Sequence, residues 1–349
     1  AMATATNGVV LWSTSGDGTF VDATVEDAIY TPGPGDNGAV ITLTMTVTGL
    51  CNVASDNLTL TVNSGPVIAD QTEGAVCSDV AIGTVTYGTS SGVAATSFVI
   101  TAINSNGLTQ SAGVVSTTDN DIADDAWTNT GATTVNVIYT VAPSSAAGCM
   151  GATFDVTVPI DPEPVIADQT EGAVCRDVAI GTVTYGTSSG VAASSFVITA
   201  INSNGLTQSA GIVSTTDNDI ADDAWTNTGA TTVNVIYTVA PSSAAGCVGA
   251  TFDVTVPIDP EPVIADQTEG AVCSDVAIGA VTYGASSGVA ATSFVITAIN
   301  SNGLTQSAGV VSTTDNDIAD DAWTNTGATT VNVIYTVAPS SAAGCVGAT

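Results

Sequence analysis

The sequence predicts an all-β chain of tandem antiparallel β-sandwich domains arranged as a rod. Three observations carry this expectation. A block of 98 residues repeats, apolar and polar residues alternate every second position within it, and an Asn-Gly pair sits between extended segments.

The repeat comes first because it sets the unit. PVIADQTEGAVC begins at Pro66 and recurs from Pro164 and Pro262. Between the first two blocks only four positions differ: Ser78 becomes Arg176, Thr96 becomes Ser194, Val114 becomes Ile212 and Met150 becomes Val248. A period of 98 residues is a whole domain rather than a solenoid turn. The expected organisation is a partial domain over 1–65 that lacks its first strand, then repeats over 66–163, 164–261 and 262–349, the third lacking its last strand.

The elements of one block follow from its pattern. Val135, Val137, Tyr139 and Val141 alternate with Thr134, Asn136, Ile138 and Thr140, and Phe154, Val156 and Val158 alternate with Asp155 and Thr157. Phe98, Ile100 and Ala102 line one face of a run that ends at Asn106-Gly107, a hairpin signal because both residue types tolerate positive φ. PVIA (66–69), GTVTY (83–87) and GVVST (113–117) complete about seven short strands. Helical periodicity is absent and β-branched residues are dense, so the block reads as an immunoglobulin-like sandwich. Junctions of the form PIDPEPVIADQ, with Pro159, Pro162 and Pro164 close together, restrict the backbone and predict short, stiff connections.

Composition removes most chemistry. The chain has no His and a single Lys or Arg (Arg176) against 33 acidic residues, a formal charge of −32. Histidine-based triads, His-containing zinc sites and Schiff-base lysines are excluded. So much negative charge also disfavours nucleic acid and anionic membranes, and no apolar run is long enough to insert in a bilayer. Two carboxylates can hydrolyse a glycoside, but any such pair recurs almost unchanged in each block. The chain is therefore expected not to be an enzyme, and no catalytic residue is assigned.

Each block carries two cysteines 72 residues apart: Cys77 and Cys149, Cys175 and Cys247, Cys273 and Cys345. The constant spacing predicts one disulfide within each repeat and an oxidising, extracellular setting; the alternative is two buried thiols per repeat. Cys51, in the first segment, is left over. The expected explanation is a window on a longer chain with the partner of Cys51 upstream, the alternative being an edge strand donated by a neighbouring molecule.

Acidic residues cluster in TTDNDIADDAW. Asp119, Asp121, Asp124 and Asp125, with Asp217, Asp219, Asp222 and Asp223 and with Asp315, Asp317, Asp320 and Asp321 in the later copies, are candidate calcium ligands. Calcium takes six to eight oxygens, though this spacing is not that of an EF-hand. Asp161, Glu163 and Asp168 at the junction form a second candidate, and solvated loop charge is the alternative for both. Trp127, Trp225 and Trp323, one per block, are read as packing residues in preference to sugar-stacking platforms.

Two sets of segments resemble a known family. WSTSGDGTF (12–20), YTPGPGD (30–36), GAVITLTMTVTGLC (38–51) and SDNLTLTV (55–62) resemble the Ig/PKD-like repeats of giant Bacteroidetes surface proteins. So does the 98-residue block, through DDAWTNTG and its closing VNVIYTVAPSSAAGC and ATFDVTVPIDPEP. The resemblance implies export by the type IX system and a place in the shaft of a cell-surface adhesin, of the gliding-motility kind. It implies too that a cysteine-bearing strand precedes Trp12. Partners would be neighbouring domains of the same long chain, other copies in a filament, or surface glycans. The other functions considered are a multivalent carbohydrate-binding array and a spacer beside a secreted polysaccharide-degrading enzyme.

Overall fold

A computed structural model describes every residue except 1–4, 7, 89–92, 115, 118, 187–189, 213, 214, 216, 285–288 and 311. The chain divides into two compact units, Ala1–Pro162 and Glu163–Thr349.

In the first unit, Val9–Thr14, Val40–Thr48 and Val53–Thr61 form an antiparallel three-stranded sheet with Val40–Thr48 central. Their inward residues Val10, Trp12, Ile41, Leu43 and Met45 are buried and pack with Phe20 and Tyr30 from a small second ladder.

The first repeat follows. Phe154–Asp161 and Val135–Ser145 pair antiparallel at the centre of its main sheet, with Ala95–Asn104 antiparallel at one edge. At the other edge Gln71–Thr72 and Val76–Cys77 lie parallel to Phe154–Asp161. The expected alternation is realised: Val137, Tyr139, Val141, Val156, Val158 and Ile160 are all 0 % exposed. A second layer is built from the ladder of Thr109–Ala112 with Ala126–Thr128. Asp79, Ile82 and Gly83 donate backbone hydrogen bonds alongside it, to Trp127, Asp125 and Ala123.

Three expected strands are corrected. PVIA and GTVTY run without a ladder, yet Ile68, Val85 and Tyr87 still pack on the core. Of GVVST, Val115 lies outside the described residues and the remainder is not strand. The Asn-Gly turn forms, with Asn106 at φ 49° and Gly107 at φ 92°, and Leu108 N–H donates to Ser105 O at 3.0 Å. It makes a corner instead of a hairpin, because the strands it joins belong to different sheets.

The second unit contains the next two repeats. The second repeats the first strand for strand, around a core of Val235, Tyr237, Val239, Val254, Val256 and Ile258. The third has Ala291–Asn300 paired with Ile334–Ser341 and Thr305–Ala308 paired with Ala322–Thr324. Its Tyr335 and Val337 are only half-buried, whereas Tyr237 and Val239 are 0 % exposed. The partner strand Phe252–Asp259 of the second repeat has no counterpart within the sequence of the third.

Candidate functional site: the acidic loop and the joint between repeats

In each repeat the acidic loop leads from one strand of the second ladder (Thr109–Ala112 in the first repeat) to the tryptophan on the other, and its side chains divide their work. Asp119 Oδ1 accepts the Asp121 N–H at 3.2 Å and Asp121 Oδ1 accepts the Ala123 N–H at 2.9 Å, so both carboxylates brace their own turn. Asn120 Oδ1 accepts the Ile100 N–H at 2.9 Å. Ile100 lies in the edge strand, so this bond occupies a donor that would otherwise face outward. Asn218 with Ile198 and Asn316 with Ile296 repeat the bond at 2.9 Å.

Asp125 does something different. It is 1 % exposed, as are Asp223 and Asp321. Trp127 Nε1–H donates to the Tyr139 hydroxyl at 2.9 Å, and that hydroxyl donates to Asp125 Oδ2 at 2.8 Å. The same Trp–Tyr–Asp relay joins Trp225, Tyr237 and Asp223, and Trp323, Tyr335 and Asp321. Among the described residues, Oδ1 of each aspartate has no hydrogen-bond partner. A Cβ on Gly113 would lie 2.6 Å from Asp125 Oδ1, and Gly113 has φ 84°, so the position requires glycine twice over. Burial raises the Asp125 carboxyl to about 6, against the lowering effect of the Tyr139 hydrogen bond and with Asp124 adding repulsion. Burial raises the Tyr139 hydroxyl as well.

Trp127 and Trp225 are thus core residues, at 4 % and 3 % exposure, and Trp323 is half-buried. The twelve aspartates do not converge: in each loop two brace turns and one enters the core. Among the described residues no three acidic, histidine or cysteine side chains come together as a metal site. At the junction, Asp161 accepts from the Thr134 hydroxyl, and Asp168 Oδ1 accepts the Asp253 N–H at 2.8 Å.

The cysteines overturn the expected pairing. Cys175 is bonded to Cys345, 170 residues away, with a Cα–Cα distance of 5.4 Å. That separation is one full repeat more than the 72 residues expected. Cys149 and Cys273 are free thiols, so the intra-repeat pairs Cys77–Cys149, Cys175–Cys247 and Cys273–Cys345 do not form. Cys77 and Cys247 are also oxidised, and Cys51 is free and exposed.

The reason is geometric. Val174 and Cys175 pair with Ile258 and Asp259, and Ile258 also pairs with Val233. Cys175 therefore sits at the Val233 end of the long strand Val233–Ser243. Cys247 sits at the other end, its carbonyl accepting the Ser243 N–H at 2.8 Å. Ten extended steps separate the two ends by roughly 33 Å, far beyond the reach of a disulfide. The two cysteines of one repeat mark its opposite poles.

The joint between the second and third repeats lies at the Cys175 pole. Asp259, Pro260, Glu261 and Pro262 leave the second repeat there, and the Pro262 carbonyl packs on Gly347, where a Cβ would lie 1.9 Å from the oxygen. Arg176, the chain's one cationic side chain, donates from Nε to Asp177 Oδ2 at 2.8 Å. Glu261 at this joint is raised by burial, with Arg176 opposing the shift.

Two-layer all-β repeats of this kind, in tandem, define a class of modular β-sandwich protein. More specifically, the PKD-like domain family matches residues 74–164, 172–262 and 270–349, most of the sequence, and the chain belongs to that family. Among curated proteins no relative matches the chain. Among solved structures, the chain is similar to mouse protocadherin-24 EC1-3 at 12% identity, covering 73% of this chain and 92% of that one, with a TM-score of 0.26. A three-Ig stretch of titin is 9% identical over 72% of this chain and 87% of its own, with a TM-score of 0.29. An endo-fucoidan hydrolase of glycoside hydrolase family 107 is 13% identical over 71% of this chain at a TM-score of 0.23, and the chain spans only 38% of its length. Nothing further follows from likenesses this distant.

Proposed function

We propose that this chain is part of the non-catalytic shaft of a secreted bacterial cell-surface adhesin, in which tandem PKD-like repeats give reach and stiffness. The observation that carries the reading is the Cys175–Cys345 bond, which ties one repeat to the next and stabilises no single core. A disulfide between domains serves an array held in a fixed succession. It also suits an oxidising, extracellular location. The sequence resemblance to giant Bacteroidetes surface proteins extends the proposal to export by the type IX system and to a gliding-type adhesin, with neighbouring domains or other copies as partners. Among the described residues no helix is long and apolar enough to cross a membrane.

The test has two parts. Antibody against the full chain should label intact, unpermeabilised cells of the source bacterium, and a glycan array probed with the full chain should stay blank. Labelling only after permeabilisation sinks the cell-surface reading. Saturable glycan binding replaces the shaft by a carbohydrate-binding array. A polysaccharide-degrading domain in the flanking sequence favours a spacer.

A further inference from the structure

We propose that, for tension applied between position 162 and Thr349, the Cys175–Cys345 bond carries the load past the stretch of chain that lies between the two cysteines. This goes beyond the shaft reading in one respect: the path of tension is a property of the bond whatever the chain projects.

The route can be traced residue by residue. The chain reaches the second repeat at Pro164, at the pole of Cys247, since a Cβ on Gly249 would lie 1.9 Å from the Pro164 carbonyl oxygen. It then runs along the sheet edge, pairing in parallel at Gln169–Thr170 and at Val174–Cys175 with Phe252–Asp259. By Cys175 it has crossed the repeat from pole to pole. The bond carries it directly to Cys345, beside Ser341 of the third repeat, whose N–H donates to the Cys345 carbonyl at 2.9 Å.

Between position 162 and Thr349, the covalent chain from Cys175 to Cys345 is bypassed. That includes the whole central strand pair of the second repeat, with Tyr237 and Phe252 in its core. It includes the Pro260-Glu261-Pro262 linker and both ladders of the third repeat. The bond thereby withholds 170 residues of chain, about 600 Å at roughly 3.5 Å per residue, from extension. What stays under tension is the already extended edge segment. The parallel pairing holds it in shear along Phe252–Asp259.

Single-molecule pulling of the full chain tests this, with one handle at position 162 and the other at the carboxyl terminus. Oxidised protein should lengthen by no more than roughly 60 Å, the contour of the residues left in line. The same protein after dithiothreitol, which donates the two electrons and two protons that convert the bond to thiols, should release hundreds of ångströms. Cys175→Ser should do so without reductant. Releases of hundreds of ångströms from the oxidised protein overturn the proposal, and so does a Cys175→Ser protein that stays short. Non-reducing peptide mapping checks the bond itself: a linked peptide joining Cys175 to any cysteine but Cys345 overturns it too. Failure of cell-surface labelling sinks the shaft reading and leaves these outcomes unchanged.

Discussion

Ile100 donates its backbone N–H to the side chain of Asn120 at 2.9 Å, across the open edge of the main sheet in the first repeat. An edge strand with free donors is a template for pairing with another chain, and lysine is the usual guard. This chain has one cationic residue, and a loop asparagine takes the guarding role in each copy. Replacing Asn120, Asn218 and Asn316 together by Ala should cost about 1 kcal/mol per repeat, one net hydrogen bond each. Sedimentation velocity should then show concentration-dependent association. A variant that melts like the parent and stays monomeric removes the guarding role.

The buried aspartates set a pH dependence of unusual sign. The folded Asp125 carboxyl lies at about 6, above the ordinary value near 3.9 of an unfolded chain. Between those values the folded state binds more protons, so stability falls as pH rises from about 4 to about 6 and levels off above 7. The first-repeat contribution is about 3 kcal/mol at most, two pKa units. Urea denaturation across this range should show the slope, and Asp125→Asn with Asp223→Asn and Asp321→Asn should flatten it. An unchanged slope in the triple variant refutes the assignment.

The first segment should respond in the opposite sense. Asp36 accepts the Tyr30 hydroxyl at 2.6 Å and the Gly33, Asp17 and Gly18 N–H groups, and these bonds, the Tyr30 one foremost, hold its carboxyl below the usual range. Its contribution is complete above the unfolded value near 3.9 and is lost as acid titrates the folded group. Near-ultraviolet signal from Trp12, isolated by replacing the three other tryptophans with Phe, should disappear first on acidification. Persistence of that signal below pH 3 contradicts this.

Tyr139 bridges two buried groups, the Trp127 indole N–H and the Asp125 carboxylate. Tyr139→Phe leaves Trp127 Nε1 without its acceptor and Asp125 Oδ2 without the hydroxyl that donates to it. The expected cost is roughly 3 kcal/mol, because each orphaned group keeps its desolvation penalty. Chemical denaturation measures it; a loss below 1 kcal/mol shows that the relay relaxes around the gap.

Calcium should leave the melting temperature unchanged, since Asp119 and Asp121 are already engaged with their own backbone. A rise of several degrees in calcium over EDTA would mean that the loop rearranges to bind the ion.

Much of this fold is legible in the sequence. Alternation along Val135–Val141 and Phe154–Val158 identifies the central pair correctly because both faces of a sandwich impose a two-residue period. The flanks are harder to read. Gln71–Thr72 and Val76–Cys77 are too short for any period, whereas PVIA and GTVTY carry β-branched residues yet form no ladder among the described residues. Asp125 was hidden among its neighbours: it precedes the strand Ala126–Thr128, whose pairing is bulged between Ala126 and Trp127, so strand alternation does not mark it. The cysteine spacing was plain but its partner was not. Spacing along the chain says nothing of distance until the strand between the two residues is laid out in space.

The bond from one copy to the next has a genetic corollary. Near-identical tandem copies invite unequal recombination, which inserts or deletes whole units. A link made within a unit or between successive units survives such events, because each new neighbour offers the same partner in the same place. Cys175 needs only that a copy follow its own, and it does not matter which. Adding or removing a whole copy after the second repeat would therefore leave in place the kind of partner that Cys175 uses.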